Sequence, residues 1–579
     1  MKPLRLAGLI LMLLLFTFSC ALYSPSGVET LRVNVPSVTI TGDFLLNGSP
    51  FSGSIYQSGI IYLRDSDGTN YTELGSTAYG SYTLAIVPGT YDIIYTHQHG
   101  AEVPLNKDAV VTAGVTINSD QVVDVDVASV SVRPWFTLNG EAFPSSIYNS
   151  AKFYLQDSAG GEPIPLGDSY QANDPVVVMP GTYNVIYSHE HGSLVPQNRN
   201  AIVATEMTID REQVLAIDVA TVSLRSSYAL NGEPFPASIY SSATFYLRNL
   251  ASDDTVMLGH SYDDYNSTIV IPGVYDVIYA HELGTQVPLN QNSVIISEVS
   301  IYSSQALAID VPAVSVAGEF SLNGESFPAS IYESAEFYLQ DSESDELILL
   351  GNSISAVTPV LVVEGAYDVV YRHLNGSSVP QNKQAVVQRD VTVNEDGQIL
   401  AIDISAVNIT GQFSLDGDAF SSSIYESADF FLRPADGEEM ILLGSSHLQG
   451  TPISIVAGTY DVIYVHRNGS DVPQHKSKEV LSAMLLKSTQ SLKVDVSTVS
   501  VRAVFSLNGE PFPASIYESA DFYLADPASG DMIFLGSSYE EQSEAVSVIV
   551  GTYDVVYQIK YGEQLPQNTV SNLFATVLQ

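Results

Sequence analysis

The chain is short of three things: cysteine, basic residues and long apolar runs. Its 579 residues contain one cysteine, Cys20, so no disulfide can form within the chain. Only 22 Lys and Arg stand against 65 Asp and Glu, a formal net charge of −43. A surface of that sign repels phosphate backbones and anionic lipid, which excludes nucleic acid as a partner and favours solubility. The one sustained apolar run, Leu6 to Phe18, is too short to span a bilayer. Sustained helical periodicity is also missing. With 45% hydrophobic residues the chain nonetheless has ample material for folded domains, and its length calls for several of them.

Lys2 and Arg5 ahead of that apolar run give the layout of a secretory signal peptide over residues 1–20, so export is expected. Two processing sites overlap at its end. Thr17-Phe18-Ser19-Cys20 resembles a lipobox, which would make Cys20 a lipidated first residue. Ser19-Cys20-Ala21 instead offers small residues to an ordinary signal peptidase. A lone cysteine just after the apolar run favours the anchor. The expected setting is therefore the cell envelope, as an outer-membrane lipoprotein or at the cell surface, with residues 21–29 as a tether and the membrane reached through lipid alone.

The rest is repetition. A G-[TVA]-Y signal recurs at Gly89, Gly181, Gly273, Gly365, Gly458 and Gly551, spaced by 92, 92, 92, 93 and 93 residues, and an L-[ND]-G signal keeps step at Asn47, Asn139, Asn231, Asn323, Asp416 and Asn508. Such a period matches an independent small domain, and six copies in line suggest beads on a semi-rigid string. A V-x-V strand precedes unit one as RVNV at Arg32 and recurs at Val125, Ala216, Ala308, Ala401 and Lys493. Taken as the first strand of each unit, it places the repeats at 30–121, 122–213, 214–305, 306–398, 399–490 and 491–579. The stretch Val391 to Ile404 also reads as a β-hairpin with an Asp-Gly turn. In that case the strand closes the preceding unit and each boundary moves by about ten residues. Short strands punctuated by Asn-Gly, Pro and Ser-Gly make each unit a β-sandwich, so the fold class is all-β with six tandem immunoglobulin-like domains of about 92 residues.

The phrase P-G-T-Y-D-V-I-Y, written in variants around Val87 to Tyr95 and Met179 to Tyr187, resembles the closing strands of prealbumin-like and Cna-B-like sandwich modules, including carboxypeptidase regulatory-like domains. The resemblance implies a stalk, a spacer or an enzyme appendage. It also raises the internal Lys-to-Asn isopeptide bond found in such stalks. Unit three, 214–305, has no lysine, so that bond cannot be a general feature here. LPQNT at Leu565 is the local copy of the V-P-x-N text and lacks the other parts of a sortase signal.

Several residues carry candidate chemistry. The Tyr after each G-[TVA] is expected to fill a core and bond back to the chain. His97 with His99 and His189 with His191 form H-x-H pairs that could contribute to a metal site, yet unit six has Ile559 at the first position, which reads as packing. Asp126, Asp218, Asp310, Asp403 and Asp495 recur beside each junction and could share calcium, the only cofactor considered; unit one has Asn34 there. Tyr56, Tyr148, Tyr240, Tyr332, Tyr425 and Tyr517 centre an S-I-Y loop in every unit. Exposed, they would stack on sugar rings or grip a surface protein; buried, they would plug the sandwich end, and burial is the expectation. No nucleophile and base pair or phosphate loop stands out, so the chain is read as non-enzymatic. The overall expectation is an extended acidic rod acting as a stalk or adhesin, with multivalent carbohydrate binding through the S-I-Y tyrosines as the alternative.

Overall fold

A computed structural model describes residues 27–579 except 159, 264–266, 342–344, 356–357, 449 and 541. The signal peptide and Cys20 lie outside the described residues.

Unit two shows the plan. Val130–Leu138 pairs antiparallel with Glu141–Ala142 and Val176–Val178 and parallel with Gln213–Val219, which makes one four-stranded sheet. The second sheet runs in the order Ile164–Asp168, Ser150–Asp157, Gly181–His191, Ala201–Ile209. Alternate residues of both sheets point inward, among them Phe153, Leu155, Val185, Leu215 and Ile217, and form one buried cluster. At its centre Phe136 stacks on Phe153 at 3.8 Å, and Phe143 meets Phe153 edge-on at 5.8 Å. Six such clusters exist, one per sandwich. The all-β sandwich expectation is therefore met.

The phase of the repeat differs from the boundaries given above. The V-x-V strand joins the sheet of the unit before it: Gln398–Ile404 pairs parallel with Ala313–Leu322, and Gln490–Val496 with Ala406–Leu415. The sandwiches therefore span 38–127, 130–219, 222–311, 313–404, 406–496 and 498–578. The alternative phase is the one realised, with the strand closing the preceding unit, but not as a hairpin: Ala385–Val393 pairs with Gly365–Asn375 in one sheet and Gln398–Ile404 with Ala313–Leu322 in the other, so the Asp-Gly turn carries the chain between sheets. Polar stretches such as Asn118 to Gln121 are turns inside a unit. The connectors between units are one or two residues, for example Ala128–Ser129 and Ser405.

The rod is also corrected. Unit six takes its closing strand from the other end of the described chain: Val28–Val35 pairs parallel with Thr498–Leu507 in continuous register from Val28↔Ser500 to Val35↔Leu507. Leu31, Val33 and Val35 enter the sixth core beside Phe505 and Phe522. The backbone contact between neighbours is repeated at this seam. The V-P-x-N loop of each unit donates a backbone N–H to the next: Leu105 to Val177 O (2.9 Å), Gln197 to Ile269 O (2.9 Å), Leu289 to Leu361 O (2.9 Å), Gln381 to Ser454 O (2.8 Å), Gln474 to Ser547 O (3.1 Å) and finally Gln567 to Ala85 O (2.8 Å). A head-to-tail contact that repeats and returns to its start is a closed ring, with the units related by rotation about one axis. Six sandwiches form a ring and not a line.

Candidate functional site

The ring is held by groups the repeat carries in every copy. Tyr91, Tyr183, Tyr275, Tyr367, Tyr460 and Tyr553 are buried, and each hydroxyl donates to the carbonyl four residues earlier, as Tyr183 does to Met179 (2.6 Å). That bond matches the role expected from the sequence. The unforeseen part is the partner from the preceding unit. Asn106 Nδ2 donates to Tyr183 OH (2.9 Å) while Asn106 Oδ1 accepts the Met179 N–H (2.8 Å). Asn198, Asn290, Asn382 and Asn568 do the same toward Tyr275, Tyr367, Tyr460 and Tyr91. Burial pushes these phenols up, Tyr183 and Tyr460 to about 12. They remain neutral donors, which is what a buried junction requires.

The recurrent aspartates also have structural work. Asp126 Oδ1 accepts the Gly48 N–H (2.9 Å), and Asp218, Asp310, Asp403 and Asp495 accept from Gly140, Gly232, Gly324 and Gly417 at 2.8–2.9 Å. Each tightens the Asn-Gly turn of its own sandwich, or in unit five the Asp416-Gly417 turn. Asn34 gives Gly509 the same bond across the seam (2.7 Å), which explains why the copy ahead of unit one need not be acidic. The hydroxyls of Ser321 and Ser414, with those glycine N–H groups, hold Asp403 and Asp495 below the usual carboxylate range. These aspartates are exposed and cap turns, a contact the calcium reading did not foresee.

Among the histidines, His97, His189, His281 and His466 bond through Nε2 to the carbonyls of Gly100, Gly192, Gly284 and Gly469 (2.7–2.8 Å). His99 and His191 are exposed at the strand ends. With His97 and His189 engaged in a turn, the H-x-H pairs are not assembled for a shared ion. Among the described residues no group of three His, Cys, Asp or Glu is placed to hold a metal.

The S-I-Y loops depart most from expectation. Tyr56, Tyr148, Tyr240, Tyr332, Tyr425 and Tyr517 are 76–79% exposed, and the isoleucines before them are 45–60% exposed. The core place beneath each loop is taken by a phenylalanine, such as Phe143, Phe235 and Phe512, so no room remains for the tyrosine. The serines on either side lock the backbone. Tyr56 N–H donates to Ser54 Oγ (3.2 Å), Gln57 N–H to Ser54 O (3.0 Å) and Ser58 Oγ to Ile55 O (3.0 Å). The serine bonds recur at all six loops. Below, the turn of the neighbouring hairpin presses against the loop. A Cβ on Gly100 would lie 2.4 Å from Tyr56 O, so only glycine fits there. The result is a rigid tip that holds one Ile and one Tyr out in water, repeated at six rotationally equivalent places.

No family model and no curated protein matches the chain. Among solved structures it is similar to the Bacillus anthracis TIE protein (12% identity, 60% of this chain and 68% of that one, TM-score 0.14). It is also similar to two B repeat units of the collagen binding protein of Staphylococcus aureus (9%, 64% and 99%, 0.14) and to a streptococcal ancillary pilin (9%, 47% and 98%, 0.16). Likenesses this distant assign no activity, and the sandwich architecture rests on the strand pairing above.

Proposed function

We propose that this protein is a non-catalytic, exported attachment protein of the cell envelope, in which a ring of six sandwiches presents six Ile-Tyr tips to a repetitive surface ligand. The observation that supports the reading is the exposure of all six tyrosines on locked turns. An unpaired aromatic side chain gains nothing for folding from being exposed, and a turn stiffened by two serines has already lost the entropy that binding would otherwise cost. Carbohydrate is the ligand class these tips suit best. A phenol face beside an aliphatic side chain is a stacking platform for a sugar ring, and a polysaccharide offers many such rings in sequence. Retention at the membrane through Cys20 belongs to the same proposal.

One tip of this size would bind weakly, whereas linked tips raise overall affinity by about 10²–10⁴ without any new contact. The test is a series of Tyr→Ala variants at positions 56, 148, 240, 332, 425 and 517, taken singly, in threes and all together, assayed on a glycan array and on whole cells. A single change should have little effect, three should cost more than half the binding, and six should abolish it with the sandwiches still folded. Undiminished binding by the folded sixfold variant would remove the tips from the function.

A further inference from the structure

The seam between units six and one is built from the same kinds of contact as the junctions formed by adjacent sequence, with Asn568 in the place that asparagine holds at four of those five and His475 at the fifth. Asn508 Oδ1 accepts the Ser37 N–H (2.8 Å) as Asn139 Oδ1 accepts that of Thr221 (2.9 Å). Asn34 caps Gly509 as Asp218 caps Gly140. Asn568 bonds Val87 and Tyr91 as Asn106 bonds Met179 and Tyr183. Nothing in this set depends on both sides belonging to one chain, and the partners are more than 470 residues apart in sequence.

We propose that the edge of Thr498–Leu507 is a strand-acceptor site that also takes Val28–Val35 of a second copy of this chain, so that rings open into head-to-tail chains of sandwiches. Three features of the seam carry the inference. A head-to-tail contact either closes or propagates, and its chemistry is the same in both cases. Without a donor strand, unit six exposes a sheet edge and loses Leu31, Val33 and Val35 from its core, so an opened ring must find a replacement. Only Pro36 and Ser37 separate the donor strand from unit one, so strand and docking surface arrive together on any incoming copy.

Closure within a chain competes with joining between chains through effective concentration. The fraction of chains joined to another should therefore rise with chain concentration. The test uses the full chain carrying Cys20→Ala with Asn34→Cys and Ser506→Cys, whose native side chains touch at 3.0 Å. The control pair is Ser414→Cys with Asp495→Cys inside unit five, where the native side chains meet at 2.6 Å. After unfolding, refolding at rising concentration and oxidation, the seam pair should give a disulfide ladder whose dimer fraction grows with concentration, while the control pair stays at the monomer position. A seam pair that cross-links only within single chains at every concentration overturns the proposal. Because Asn34→Cys removes a turn cap, the unsubstituted chain is refolded in parallel and sedimented. Discrete multiples of the monomer growing with concentration support exchange, and one monomeric species throughout overturns it.

Discussion

His475 stands at the junction of units five and six, where the other five junctions have asparagine. It is fully buried, and its Nε2 lies 2.7 Å from Tyr553 OH. That hydroxyl already donates to Ile549 O (2.5 Å), so Nε2 must carry the proton and Nδ1 is left as a buried acceptor without a partner. Around it lie Lys478, paired with Asp526 at 2.5 Å, and Asp531, which accepts the Lys476 N–H. Burial first, and then the Lys478 charge, lower the His475 pKa from 6.5 to about 4. The unfolded chain therefore takes up a proton between these two values that the folded chain refuses. The stability from keeping His475 neutral is complete above about pH 6.5 and declines as pH falls toward 4, by about 3 kcal/mol in all. His475→Asn would restore the amide bridge of the other junctions and remove this loss. Burial raises Asp254, at the junction of units two and three, to about 6, and that carboxyl acts in the opposite sense by favouring the fold as pH falls. The informative quantity is thus the difference between variant and native chain. His475→Asn should raise the melting temperature more at pH 4.5 than at pH 7.5, and an equal change at both would show that the imidazole does not titrate against folding.

At the scale of elements, the turn caps separate what a side chain's charge does from what its oxygen does. Asp495 accepts from Gly417 N–H and Ser414 Oγ, and Asn34 fills the same place in unit six with an amide oxygen. Asp495→Ala should cost about 1 kcal/mol locally, a modest figure for an exposed carboxylate, and Asp495→Asn should cost almost nothing. The unfolding of six linked sandwiches is not two-state, so the measurement is hydrogen exchange at the Gly417 amide. Protection that falls equally in both variants would show that charge is what the turn needs. Strand alternation, the Asn-Gly turns and the buried tyrosines were all legible in the repeat, because each depends on near neighbours in sequence. The tips were misjudged because an aromatic in a proline-containing loop is usually a plug. The informative residues were the flanking serines, Ser54 and Ser58 in unit one, whose bonds fix the turn and whose pattern alone does not show which way the tyrosine faces.

The ring is the property least visible in the sequence, since no single repeat differs between a line and a circle. Two signals did point to it. RVNV precedes unit one with no sandwich of its own to close, and the sixth V-P-x-N copy, Leu565 to Asn568, keeps the asparagine that serves only a following unit. Read as a linear array, both are leftovers; read as a cycle, RVNV closes unit six against Thr498–Leu507 and Asn568 docks on Val87 and Tyr91 of unit one. The two shapes differ enough for scattering to separate them. The closing strand of each sandwich ends level with the first strand it lies beside and runs through one or two residues into the first strand of the next, so neighbouring units sit about 30 Å apart, the length of nine or ten extended residues. Six units at that spacing on a hexagon, each with its own radius of gyration of about 13 Å, give about 33 Å overall, whereas the same units in line give about 50 Å. The native chain in dilute solution should show the smaller value. Asn508→Ala combined with Asn568→Ala removes the side-chain bonds to Ser37, Val87 and Tyr91 and leaves the buried Val87 N–H of unit one without its partner, while leaving the other five junctions untouched. That variant should move toward the larger value, and the matched pair Asn231→Ala with Asn290→Ala, at an internal junction, should move less, because the covalent connector at residue 312 still holds units three and four together. A native chain already near 50 Å would mean that the seam does not close in solution.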